Sequence, residues 1–244
     1  MLRRAIVFGL LLGAFPALAQ QDSVKLSRIS IGVSGGPDHC FRTLADNGGN
    51  PFAGLIIDLR NDLEIPRVGH SIGADILFHL SEQWSVVSGV RYSDQGYRTE
   101  EITSFATVDM PEGDPAIPLK GIQSVYHYRY LSVPVVGQFR PGKGRLRFAS
   151  ALGVSADFLL TATETVRKRW EDDLERESKS LDRENYNPVS LSGRAELGGT
   201  YRVVRRLELC AAIVGLYQLT KLTDTPITGY LWSVGVQCGI RYRL

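Results

Sequence analysis

The side chains of this 244-residue sequence best suited to moving protons are four histidines and the carboxylates near them. His79 follows Asp75 by four residues, a spacing that puts both on one face of a strand and would let the carboxylate orient the imidazole as a general base. His70 and His127 lie toward the outer ends of their predicted strands, with Asp94 and Asp224 as candidate partners. Cys40 stands in a predicted loop beside His39, two groups where a metal site needs three or four. Cys210 and Cys238 fall on opposite faces of neighbouring predicted strands, and a disulfide cannot bridge that separation. No Gly-rich phosphate loop, paired-cysteine zinc signature or nucleophile elbow occurs. The sequence therefore predicts no catalytic residue, no cofactor-binding residue and no metal ligand.

The remaining charges follow a different logic. Asp75, His79, Arg91, Arg147, Asp157, Arg194, Glu196, Glu208 and Arg241 all fall on the polar face of segments that alternate apolar and polar residues. Their signs nearly balance, so an interior ion-pair network is expected, since an unpaired buried charge costs several kcal/mol. Eight such segments are predicted, over residues 28–36, 68–80, 84–98, 122–140, 145–161, 189–203, 206–220 and 229–243. In the last, Tyr230, Trp232, Val234, Val236, Cys238, Ile240, Tyr242 and Leu244 share a face against Ser233, Gly235, Gln237, Gly239, Arg241 and Arg243, with Leu231 the one exception.

The connections alternate long and short: Ser81-Glu82-Gln83, Pro141-Gly142-Lys143-Gly144 and Val204-Arg205 are brief, while loops near 37–67, 99–121 and 162–188 are long. Short periplasmic turns opposite long extracellular loops are the signature of an outer-membrane barrel. The fold class predicted is all-β, a closed antiparallel up-and-down transmembrane β-barrel of eight strands. Ala53, Leu55, Ile57 and Leu59 alternate with Gly54, Ile56, Asp58 and Arg60 and are read as a loop hairpin or extracellular extension; as an additional short strand they would make ten strands the alternative, and a soluble lipocalin-like barrel is the alternative to membrane insertion. The 164–187 stretch, with Arg167-Lys168-Arg169 and a run of acids, is expected to be a solvated charged loop or a short helix held by i,i+4 pairs.

Arg3 and Arg4, the apolar run from Ala5 to Phe15 and Ala17-Leu18-Ala19 read as a signal peptide over residues 1–19, leaving a barrel domain over 20–244. Removing those two arginines turns 28 basic residues into 26, against 26 acidic ones. A balanced, dispersed charge excludes a nucleic-acid partner. Mean hydropathy of −0.07 fits a chain apolar on one face of each strand only. Aromatic side chains at predicted strand ends, among them Trp84, Phe139, Tyr217 and Trp232, fit interfacial girdles.

Trp84 to Tyr92 followed by Gly96-Tyr97, Tyr130-Leu131-Ser132-Val133-Pro134 running on to Phe139, and Ala151 to Leu160 resemble three strands of the PorT-like outer-membrane β-barrel family common in Bacteroidota. That resemblance covers residues 68–161 and implies a small outer-membrane barrel, one branch of which is tied to type IX secretion. Pro134 cannot donate a ladder hydrogen bond and is expected to mark a bulge or inward kink. Outer-membrane lipid is the expected partner, with another envelope protein on the extracellular loops. The function expected is that of a non-enzymatic envelope anchor or interaction platform, accessory to protein secretion. A barrel enzyme acting on lipid or peptide, or a small pore, is the alternative; against the enzyme, His79 lies at the periplasmic end whereas such enzymes place catalysis toward the extracellular rim.

Overall fold

The computed structural model describes residues 28–48, 51–103, 120–170 and 173–244. The stretch read as a signal peptide lies outside them. Eight antiparallel strands form a closed ring: β1 (Ile29–Asp46), β2 (Glu64–His79), β3 (Trp84–Thr99), β4 (Gly121–Phe139), β5 (Leu146–Arg169), β7 (Val189–Val204), β8 (Leu207–Gln218) and β9 (Ile227–Arg243). Closure runs through β1 against β9, and β6 (Leu174–Ser180) pairs only with the last seven residues of β5, Thr163 to Arg169, outside the ring.

The faces are inverted relative to a soluble barrel. Leu152 is 72% exposed, Ile72 61% and Val33 60%, whereas Asp75 is 6% and Arg91 3% exposed. In water such a surface would carry a large apolar patch; in a bilayer it is the lipid contact. Trp84 and Phe139 touch at 4.8 Å near the short turns. Phe41 and Trp232 stack at 3.9 Å toward the other end, so two aromatic girdles bracket the apolar belt. No helix of the described residues is long and apolar enough to cross a membrane; the crossing is made by strands.

Short links keep sequential strands adjacent. In the β4–β5 turn Gly142 takes a φ of 94°, a conformation that costs a side chain dearly and glycine little. At Gly153 an added Cβ would collide with the Val135 carbonyl, so the close approach of β4 and β5 requires its missing side chain.

Several expectations are corrected. Strand β1 continues to Asp46 instead of ending at 36, which moves Cys40 from a loop into a strand, fully buried. Residues expected to form an extra strand or loop hairpin are helix α1 (Ala53–Leu63), so the ten-stranded alternative fails. Leu55, Ile56, Leu59 and Leu63 suit helical as well as alternating spacing, and such short apolar runs are ambiguous by period alone. The charged stretch 164–187 is largely a β-hairpin arm: β5 runs on to Arg169 and returns as β6, with Lys168 near Glu175 at 3.8 Å and Glu177 at 3.3 Å. Cross-strand charge pairs replace the expected helical ones. Pro134 makes no bulge. It pairs in register with Ser155, the β3–β4 ladder is interrupted beside it without a register change, and the nearby bulge falls at Arg129/Tyr130.

Candidate functional site

Three levels of inward side chains fill the barrel. At the short-turn end Arg140, 1% exposed, donates through Nη1 to Glu208 Oε2 at 3.1 Å, and Arg147 donates to Oε1 of the same carboxylate at 2.7 Å. Arg140 Nη2 lies 2.9 Å from His79 Nδ1. A guanidinium can only donate, so Nδ1 accepts and Nε2 carries the proton, bonding Ser30 Oγ at 2.7 Å. His79 is thus a structural neutral imidazole. Its expected pairing with Asp75 does not form, because Asp75 is taken by Arg91 at 3.1 Å and by Ser34 Oγ at 2.9 Å.

In the middle level Arg194 pairs with Glu196 at 2.6 Å and donates to Gln237 at 3.0 Å, and Gln237 in turn reaches Ser71 at 2.9 Å. Asp157 accepts from the Ser155 and Ser192 hydroxyls, and Arg241 donates to Gln138 at 3.1 Å. The interior network expected from the sequence is present for Asp75–Arg91, Arg147–Glu208 and Arg194–Glu196, whereas Asp157 and Arg241 are served by neutral partners. A cavity of about 40 Å³ remains beside Asp75, Arg91 and Glu196, room for a few waters at about 10–15 Å³ each.

Above the outer girdle the lumen changes character. Tyr97, Tyr128, Tyr130, Leu159, Leu222 and Leu231 form a buried apolar plug, with the Arg42 guanidinium 3.8 Å over the Tyr97 ring and its Nε 3.0 Å from Glu64. Burial pushes the phenols of Tyr97 and Tyr128 up from their ordinary range. Tyr126, stacked on Tyr97 at 4.6 Å, is pushed up to about 12 by burial, with the Glu164 carboxylate beside it adding to the shift.

Near the outer ends of β4 and β3 the structure does gather His127, half-buried, and Asp94, buried. His127 Nδ1 lies 3.2 Å from Asp94 Oδ2. Arg67 stands between them, its Nη1 2.6 Å from the same Nδ1 and its Nη2 2.9 Å from Asp94 Oδ1. Nδ1 thus meets a guanidinium donor and a carboxylate acceptor together, and Arg67 engages both groups in place of a simple His–Asp pair. His70 is opposite Asp94 across the β2–β3 ladder and exposed. Asp224 belongs to the β8–β9 connection, separated from β3 by β2, β1 and β9 around the ring. Among the described residues no group of three His, Cys, Asp or Glu could hold a metal ion, and all three cysteines are free.

Sequence reasoning missed Arg140, Arg67 and the Arg42–Glu64 pair. Arg140 was legible by parity, two residues beyond inward Gln138.

The family model for the outer membrane protein beta-barrel domain matches residues 18–224. The chain belongs to this family. As a member of the outer-membrane β-barrel family it has its closing strand, β9, beyond the matched segment, tied in by ladders to β1 and β8. No curated protein matches the chain. Similar solved structures include OprG from Pseudomonas aeruginosa, at 12% identity over 88% of this chain and 96% of that one with a TM-score of 0.48. Neisserial surface protein A is similar at 10% identity over 88% and 97%, TM-score 0.42, and Ail of Yersinia pestis at 14% over 86% and 97%, TM-score 0.35.

Proposed function

We propose that this outer-membrane barrel is a closed, non-enzymatic anchor whose extracellular elements form an interaction platform for another envelope protein. The observation that carries this reading is the filled lumen: ion pairs, amides and the apolar cluster of Leu77, Val87, Val136 and Ala151 occupy its lower part and aromatic rings its top, with a cavity of about 40 Å³ beside Asp75, Arg91 and Glu196. An eight-stranded barrel is just wide enough for side chains to fill, and this one is filled. The Arg67-engaged His127 supports the non-enzymatic part. The platform consists of the β5–β6 arm, which rises clear of the ring with Leu174 to Ser180 exposed throughout, and of α1, which leaves Leu55 71% and Leu59 59% exposed. The resemblance to PorT-like barrels narrows the reading to an accessory of protein secretion.

Two measurements test it. In planar bilayers the folded protein is expected to pass no ions. In intact cells, replacing residues 167–177 by a short Gly-Ser turn is expected to leave heat-modifiable folding unchanged while removing the protein's cross-linked envelope partner. Discrete conductance steps, or an unaltered cross-linking pattern, would overturn the reading.

A further inference from the structure

The short-turn end of the barrel carries an unusual charge. Arg28, Lys143, Arg145, Arg205 and Arg206 are exposed there, and among the described residues of these turns Glu82 is the single exposed acidic side chain. None of the five cations lies within 4.0 Å of a carboxylate among the described residues. Behind them the lumen mouth adds Arg140, Arg147 and Arg202 around one carboxylate, Glu208. Cations at the opposite end stand among exposed acids: Arg169 meets Glu101 at 2.9 Å and Lys168 meets Glu177 at 3.3 Å, and Arg98, Arg176 and Lys179, though without a described carboxylate within 4.0 Å, share that end with exposed Glu100, Asp173, Glu175, Asp182 and Glu184. Among the described residues the net positive surface charge therefore belongs to the short-turn end, which lies at the periplasmic leaflet.

The height of these groups fixes what they face. Trp84 sits beside Glu82 in one turn, and Phe139, its ring partner, immediately precedes the turn that carries Lys143 and Arg145. Arg206 Nη1 lies 3.4 Å from the hydroxyl of outward-facing Tyr242, and that hydrogen bond holds the guanidinium at girdle level. Interfacial Trp and Tyr rings sit among lipid headgroups. Phosphate oxygens are the acceptors available at that depth, and arginine presents a planar fork that matches them.

We propose that the periplasmic rim is a binding site for net-anionic phospholipids of the inner leaflet, phosphatidylglycerol in kind, with Arg28, Lys143, Arg145, Arg205 and Arg206 gripping the headgroup phosphates. Phosphatidylcholine presents the same phosphate with its charge cancelled, so the rim discriminates by net charge.

The test uses the full chain with Trp170→Phe and Trp232→Phe, leaving Trp84 as the fluorescent reporter at the rim, folded into mixed vesicles. Brominated phosphatidylglycerol in a phosphatidylcholine background is expected to quench Trp84 as though enriched about fivefold or more, the contribution of a single cation near an anionic surface. Replacing the five cations together by glutamine abolishes the enrichment while heat-modifiable folding persists. Should that variant fail to fold, the parent protein at about 1 M salt, where the screening length is about 3 Å, is expected to lose it equally. Glycerol phosphate added to the water is expected to leave the quenching unchanged. Equal quenching by brominated phosphatidylglycerol and phosphatidylcholine, enrichment insensitive to salt, or displacement by glycerol phosphate would each overturn the proposal, the last by making the rim a soluble-anion site.

Discussion

The two mouths of this barrel are closed by opposite chemistry. At the level of the inner girdle, Arg140, Arg147 and Glu208 interlock with His79, Ser30 and Ser85; above the outer girdle, tyrosine and leucine rings and chains pack together. The contrast follows from what lies outside each level. Within the bilayer the outward face must be apolar, so polar groups are driven inward and must satisfy one another. Above the bilayer both faces of the wall meet water or protein, and the ordinary preference for an apolar interior returns. One chain thus follows two hydrophobicity rules along the same strands.

The comparison is broken most forcefully at Glu208. Glu208→Ala leaves two guanidinium groups buried without their carboxylate, and breaking such a pair costs about 3–5 kcal/mol; urea unfolding in detergent or vesicles is expected to show it. If the loss is under about 1 kcal/mol, water has entered the lower lumen and the mouth is not sealed by ions. Leu231→Ala, in the upper plug and 2% exposed, is expected to cost about 2–5 kcal/mol as a buried cavity. Unlike Glu208→Ala, its effect should not depend on salt. At the belt between them, Val154→Arg faces lipid, and a midplane charge costs about 2–4 kcal/mol. Thr165→Arg, on β5 above the belt, should cost well under half as much; equal losses in folding yield would mean the belt has been placed at the wrong height.

A smaller effect separates the ends by pH. The phenol of Tyr126 is held at about 12 in the folded protein, above the unfolded value of about 10. The folded state therefore keeps its proton longer, and stability falls as pH rises from about 10 to about 12. Tyr126→Phe is expected to flatten that fall, measured as the urea midpoint against pH. A Tyr126→Phe profile identical to that of the parent would mean that Tyr126 is not buried against the plug in the folded protein.

These two rules also explain what the sequence disclosed. Membrane-level strands were legible because every outward residue is apolar over Ile72 to Phe78 and Leu152 to Phe158, with Leu77 the one large apolar side chain turned inward. The upper part of β1 was not, because Cys40 and Leu44 turn their apolar side chains inward, and a reading tuned to outward apolar residues stops before them. Helix α1 was obscured by a run whose apolar spacing satisfies both periods. The charged arm looked like a loop because neither of its faces is buried, which removes the pattern that announces a strand. Of the lumen, the charges were visible by parity, but their partners were not: which of several inward groups meets Asp75 or His79 depends on cross-strand register, and a register cannot be read from one strand.

The ladder between β1 and β9 reaches from Ser30 opposite Arg243 to Asp46 opposite Ile227, so the seam joins the most distant parts of the chain and spans all three levels of the lumen. Contacts so remote in sequence are the slowest to form. They are also the hardest to lose, because parting the seam exposes strand edges to lipid, where unpaired amides and carbonyls find no substitute. The protein's lifetime in the membrane is consequently a matter of rate: whatever its equilibrium stability, it persists for as long as that single zipper takes to open.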